Sequence, residues 1–172
     1  MLPIASDEAL ASPLAQSIRE RRGGVLYNLD KVMLHSEAFA RGWGAFYGAI
    51  RGDELAVSHL LRELAILYVA VLNGAEYEWQ QHEQPGVRAG ASPAMLEALR
   101  AKRTDAACFD ELQRATLCLA EEMTVAVKPR AETVERLRAL LSTRELVELI
   151  GTISAYNCVS RFLLATGVEL EK

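Results

Sequence analysis

The sequence predicts an all-α protein, a compact helical bundle with short connections. Three observations predict it. Ala, Leu, Glu and Arg dominate the chain, and all are strong helix formers. Alternating runs of β-branched residues, the mark of half-buried strands, are missing. Gly and Pro fall where helices should start or stop. With 172 residues, 51% of them apolar, the chain is long enough for a substantial core. The expectation is a single domain over 1–172, with residues 1–24 as an N-terminal helical extension.

Each helix has its own start or stop signal. Ser12-Pro13 opens the first, with serine as N-cap and proline at the first helical position, and Gly23-Gly24 ends it. A loop with apolar anchors, Val25 to Asn28, leads to a short helix from Leu29 to His35. Ser36 caps a third, about Glu37 to Ile50, ended by Gly52. Its small residues Gly42, Gly44, Ala45, Gly48 and Ala49 predict close backbone approach to another element. Ser58 starts the fourth, which carries the longest apolar run and stops at Asn73-Gly74. The fifth runs from Ala75 towards Arg88, with Pro85-Gly86 expected to interrupt or close it. Ser92-Pro93 repeats the cap-plus-proline signal for a sixth, Ala94 to Lys102. A seventh spans about Asp110 to Val127 and stops before Pro129; an eighth covers Glu132 to Leu141. Ser142 and Glu145 form a capping box before the last helix. That helix carries a stripe of Leu146, Leu149, Ile150, Ile153, Asn157 and Val159, widened by Tyr156, Phe162 and Leu163. Asn157 on that stripe needs a hydrogen-bond partner.

Composition excludes several function classes. Nineteen basic residues face 23 acidic ones, net −4, so no basic surplus exists to neutralise phosphates and no nucleic-acid partner is expected. The apolar run Leu64 to Leu72 is half of the ~20 residues a membrane span needs, so no membrane partner is expected. The first residues, with Asp7 and Glu8, lack the basic-then-apolar order of a secretory leader. Cys108, Cys118 and Cys158 make no CxxC pair and no disulfide framework. A cytoplasmic protein is expected. Cys108 and Cys118, ten residues apart, are read as lying on one helix without sharing a face.

The stretch His59-x-x-x-Glu63, the apolar run, the Asn73-Gly74 break and Ala75 to Glu83 differs from ordinary bundle filler. A turn at Asn73-Gly74 makes two helices an antiparallel pair. Glu63 lies ten residues before the break and His82 eight after it. At ~1.5 Å per residue both stand about 12 to 16 Å from the turn and come level. Ala75, Glu78, Trp79 and His82 share a face through i, i+3, i+4 and i+7 spacing. A glutamate beside a histidine makes a proton-transfer pair, in which the carboxylate orients the imidazole.

This stretch resembles the carboxymuconolactone decarboxylase family, whose best-known relatives are the alkylhydroperoxidase-like proteins. The resemblance rests on Arg62-Glu63-Leu64-Ala65-Ile66-Leu67, Asn73-Gly74-Ala75-Glu76-Tyr77-Glu78-Trp79 and Gln81-His82. Upstream, Arg22-Gly23-Gly24, Asn28-Leu29-Asp30, Leu34-His35-Ser36 and Gly42-Trp43 also fit. It implies an all-α bundle of the alkylhydroperoxidase-like type and a homo-oligomer, a trimer or a hexamer built from trimers. In the peroxidase branch the helix after the turn begins with Cys-x-x-Cys, and a glutamate and a histidine relay protons to the thiols. The glutamate matches Glu63 and the histidine matches His82, whereas the thiol positions match Ala75 and Glu78. Thiol–peroxide chemistry lacks its nucleophile and its resolving partner. The acid–base half of the site remains, which suits the decarboxylase branch. The resemblance therefore implies a decarboxylase-like lyase on a small carboxylate or lactone, with Glu63 and His82 catalytic, Glu78, Trp79 and Tyr77 around the pocket, and no cofactor.

Other readings stand beside this one. A divergent peroxidase-type antioxidant protein without the thiols, or a non-enzymatic oligomeric binding protein, shares the fold. Taken singly, Glu63 also reads as a surface glutamate, His82 as a satisfied interior histidine and Glu78 as a first-turn acid favoured by the helix dipole. Tyr77 and Trp79 also read as core aromatics, and Arg41 and Arg62 as solvated. His59, Glu63, Glu78 and His82 together offer a metal-ligand set, but their i, i+4 spacing matches neither HExxH nor the ExxH of di-iron bundles.

Overall fold

The computed structural model describes residues 2–171, and among them every regular element is a helix. The helices are α1 (Asp7–Leu10), α2 (Pro13–Arg21), α3 (Asn28–Met33), α4 (Glu37–Arg51), α5 (His59–Asn73), α6 (Glu76–Ala89), α7 (Pro93–Arg100), α8 (Glu111–Val125), α9 (Ala131–Leu140) and α10 (Thr143–Thr166). None of these helices is long and apolar enough to cross a membrane. The chain divides into two compact units. One holds residues 2–52 and 162–171; the other is Asp53–Arg161.

The predicted caps close the helix starts. The hydroxyls of Ser12, Ser36, Ser58 and Ser92 accept from the backbone N–H three residues on. Ser142 and Glu145 exchange backbone and side-chain bonds as the capping box requires. Ser6 caps the additional short helix α1.

In the first unit the Asp30 carboxylate is buried and takes both a 2.8 Å and a 2.9 Å contact from Arg22. The Asp30 pKa is raised because burial outweighs the arginine. Phe39, Trp43, Tyr47 and Phe162 form an aromatic cluster, with Trp43 and Tyr47 ring centroids 4.4 Å apart. The small residues of α4 do not bring another element of the chain close. A Cβ on Gly42 or Gly48 would meet nothing within 4 Å, and one on Gly44 only the Arg21 side chain. Glycine here leaves room rather than permitting contact.

In the second unit α5 is the central helix, buried along nearly its whole length, and it packs on α6 and α8. Gly74 ends it at φ 68°, a left-handed conformation that an L side chain resists, and the chain reverses into α6. Asn157 is a fully engaged amide. It donates to Thr124 Oγ1 and the Ile153 carbonyl, and accepts from Asn73 Nδ2 and Arg161 Nη1.

Two expectations need correction here. Pro85 does not interrupt the fifth helix: α6 runs through it to Ala89 and is closed by Gly90 at φ 109°. Packing of the next residue explains this. Gly86 is buried against Leu67, so tertiary contact holds the turn that proline weakens. Cys108 is not on a helix with Cys118, because α8 begins only after the Asp110 cap. All three cysteines are free thiols.

Candidate functional site

The site is built within the α5–α6 hairpin. Ser58 fixes the start of α5 and Gly74 its end, so Glu63 is set one turn in from the cap. The two helices approach closely because Gly86 has no side chain: its Cβ would lie 2.9 Å from Leu67 Cδ1 and 3.8 Å from Glu63 Cβ. His82 stands one turn before Gly86, and its Nδ1 lies 2.9 Å from Glu63 Oε2. Both side chains are mostly covered, at 11% exposure for His82 and 16% for Glu63. The Tyr156 ring of α10 meets the imidazole edge-on, centroids 4.9 Å apart. The Glu63 carboxylate accepts at the ring edge from Nδ1 and the Tyr156 ring limits rotation, which fixes the imidazole orientation.

Glu78, one turn before His82 on α6, is buried at 2% exposure and accepts from Ser160 Oγ at 2.9 Å. Ala75 is buried at the hairpin turn. The site thus presents two carboxyl groups and one imidazole on adjacent helices, held by Ser160 and Tyr156 from α10. Such a set can accept, hold and deliver a proton in a partly dry environment.

Trp79 and Tyr77 are buried. The Trp79 ring is covered by the Arg100 guanidinium, 3.9 Å from its centroid, and Arg100 in turn grips Glu76 through two nitrogens. That grip lowers the Glu76 pKa, the Arg100 hydrogen bond being the largest cause. Arg62 is buried, not solvated, whereas Arg41 is exposed beside Glu37. His59 does not join the site. It is exposed and lies 3.5 Å from Asp53, and no three His, Cys, Asp or Glu among the described residues come together as a metal group. The four-residue metal set is therefore not assembled: His59, at the exposed start of α5, turns to Asp53 rather than to Glu63.

Ser160 and Tyr156 were not singled out as site residues by sequence. In the sequence Tyr156 belongs to the apolar stripe of the last helix, and nothing marks Ser160.

The profile of the carboxymuconolactone decarboxylase family matches residues 37–122, which include both Glu63 and His82. The chain belongs to the carboxymuconolactone decarboxylase family. Solved structures agree on the fold of this family member. An uncharacterized peroxidase-related protein from Silicibacter sp. TM1040 superposes with TM-score 0.81 at 23% identity, covering 98% of this chain and 92% of that one. The alkylhydroperoxidase core protein from Ralstonia eutropha JMP134 does so with TM-score 0.78 at 16% identity, over 99% and 91%. A Cys-to-Ala variant of the debrominase Bmp8 in complex with 2,3,4-tribromopyrrole gives TM-score 0.77 at 17% identity, over 99% and 91%. No curated protein sequence matches significantly.

Proposed function

We propose that this family member is an acid–base enzyme of the decarboxylase type, acting on a small carboxylated lactone or related organic acid. The observation that carries the reading is the 2.9 Å bond between His82 Nδ1 and Glu63 Oε2 on a sequence whose thiol positions are Ala75 and Glu78. Glu63 holds the imidazole in orientation and supports its protonated form. When the substrate loses carbon dioxide, the C–C bond breaks and its electron pair passes into the conjugated lactone. The imidazolium of His82 delivers the proton that quenches this charge, and solvent protons restore it. Glu78, set by Ser160, is the second carboxyl group facing the reacting region, with Tyr77 and Trp79 walling it. The protein works as a homo-oligomer, a trimer or a hexamer built from trimers, which light scattering in solution checks.

The test is turnover of carboxymuconolactone, followed by carbon dioxide release. General acid–base help is worth about 10² to 10⁴ in rate. Glu63→Gln and His82→Gln should each lower kcat by about that factor while leaving the circular dichroism spectrum unchanged. Full activity in both variants overturns the reading.

A further inference from the structure

The first unit carries an apolar groove and an exposed aromatic side chain two turns apart on α4. The groove, about 380 Å³, is lined by Leu2, Pro3, Val32, Met33, Phe39 and Phe162. Phe39 stacks on Phe162 with ring centroids 5.6 Å apart. The polar groups at the edge of the groove are turned to the chain itself. His35 Nε2 meets the Pro3 carbonyl at 2.9 Å, Ser36 Oγ accepts from the Phe39 N–H, and Thr166 Oγ1 donates to the Phe162 carbonyl at 2.7 Å. What remains is apolar surface, with Leu2 and Phe39 about half exposed. It suits a flat apolar group, and an apolar cavity of about 150 Å³ already holds a benzene ring.

The exposed aromatic is Phe46, seven residues after Phe39 on α4 and 49% exposed. Seven residues are two turns, so both rings stand on the same flank of the helix, about 10 Å apart along it. Beside them the outward face of α4 is Ala38, Gly42, Ala45 and Ala49, all exposed and none charged. A Cβ on Gly42 would meet nothing within 4 Å. The charges next to this face, Glu37 and Arg41, pair with each other at 3.3 Å and leave it neutral.

A projection and a groove on one surface are what a two-fold contact requires, since each copy must offer both. Two α4 helices laid antiparallel about an axis between Gly42 and Trp43 bring each Phe46 opposite Phe39 of the other copy, because positions 39 and 46 are equidistant from that point. A two-fold rotation keeps both rings on one flank, so each projection meets a groove. At the crossing itself stands Gly42, with no side chain to hold the helices apart.

We propose that α4 is a self-recognising face: a second copy of this chain docks antiparallel on it, with Phe46 of each copy seated in the Phe39–Phe162 groove of the other. Resting on the homo-oligomer already proposed, this assigns its two-fold contact, which a hexamer built from trimers needs in addition to its three-fold one.

The test is the mass of the full chain by sedimentation equilibrium at about 1 to 100 µM. The parent should hold an even number of copies. Phe46→Glu should halve that mass and raise the dissociation constant of the contact at least about a hundredfold, since symmetry places two unpaired carboxylates in apolar grooves. Gly42→Gln, exposed and more favourable to a helix than glycine, should halve it too by keeping the helices apart. Phe39→Lys should do the same, and an equimolar mixture of Phe39→Lys with Phe46→Glu should regain the parent mass. In the mixed pair one contact joins the new carboxylate to the new ammonium, and the other is the native contact of Phe46 with Phe39. Circular dichroism checks each fold; if Phe39→Lys does not fold, Leu2→Lys replaces it on the groove side. A mass unchanged by Phe46→Glu or by Gly42→Gln overturns the proposal, as does a mixture that stays split. A parent that sediments as a trimer overturns the α4 contact and leaves the homo-oligomer standing, whereas a monomeric parent overturns both.

Discussion

Gly86→Ala tests how the hairpin positions its acid–base pair. The new methyl would stand 2.9 Å from Leu67 Cδ1. Carbon atoms rest about 3.5 to 4.0 Å apart, so the shortfall is about 0.6 to 1.1 Å. Leu67 is fully buried and has no solvent to swing into. Overpacking of this kind costs about 1 to 3 kcal/mol. Replacing a helical glycine with alanine returns about 1 kcal/mol. The balance is a loss of about 1 kcal/mol, or about 2 to 4 °C in Tm for a chain of this size. The strain separates α5 from α6 one turn from the 2.9 Å His82–Glu63 bond, so turnover should fall along with stability. In a Leu67→Val background the Cδ methyls are gone. There the same Gly86→Ala change should stabilise, by about the 1 kcal/mol of helix propensity. Urea unfolding of the four proteins closes the cycle. If Gly86→Ala stabilises the parent as much as it stabilises Leu67→Val, glycine is not what lets these helices meet.

Three further outcomes follow from the same geometry. Peroxide consumption with a dithiol donor should be absent in the parent and should appear in Ala75→Cys/Glu78→Cys, where the two thiols stand two turns and one turn before His82; an inert double variant would show that the relay does not serve those positions. Asn157→Leu removes an amide engaged on all sides and should cost about 1 to 3 kcal/mol, lowering Tm by about 2 to 12 °C; a Tm within a degree of the parent would show that the network is idle. Burial pushes the Glu122 pKa up, but the Arg130 amide, the Arg130 guanidinium and the Thr133 hydroxyl outweigh it and hold it below 4.5. Its contribution to stability is thus present above the unfolded value and lost as pH falls through the folded one. An acid titration of stability should fall less steeply in Glu122→Gln than in the parent, and equal slopes would refute the assignment.

The parts of this fold that sequence made legible are those fixed by local chemistry. Ser12, Ser36, Ser58, Ser92 and Ser142 satisfy N–H groups only three residues away, so a short window suffices to place each helix start. The Glu63–His82 register needed one turn, Gly74, and a fixed rise per residue. What escaped depends on distant packing. Pro85 is tolerated because Gly86 docks on Leu67, 19 residues back in the chain. Ser160 reaches Glu78 across 82 positions, which no periodicity encodes. Arg62 lies buried beside the apolar run, although its charge argues for solvent. The glycines of α4 signal absence of bulk, and sequence alone does not distinguish a helix neighbour from an open pocket.

Ala75 and Glu78 have a consequence for how such a protein is kept running. A thiol site must be returned to its reduced state after every cycle, and it stops when peroxide drives its sulfur to the sulfinic or sulfonic level. Imidazole and carboxylate hold no such debt of electrons. On the proposed acid–base reading, a site made of Glu63, His82 and Glu78 needs no reductase, no dithiol carrier and no matching redox potential from its surroundings. It would therefore keep the same chemistry through an oxidative burst that silences a sulfur-based homologue on the same scaffold.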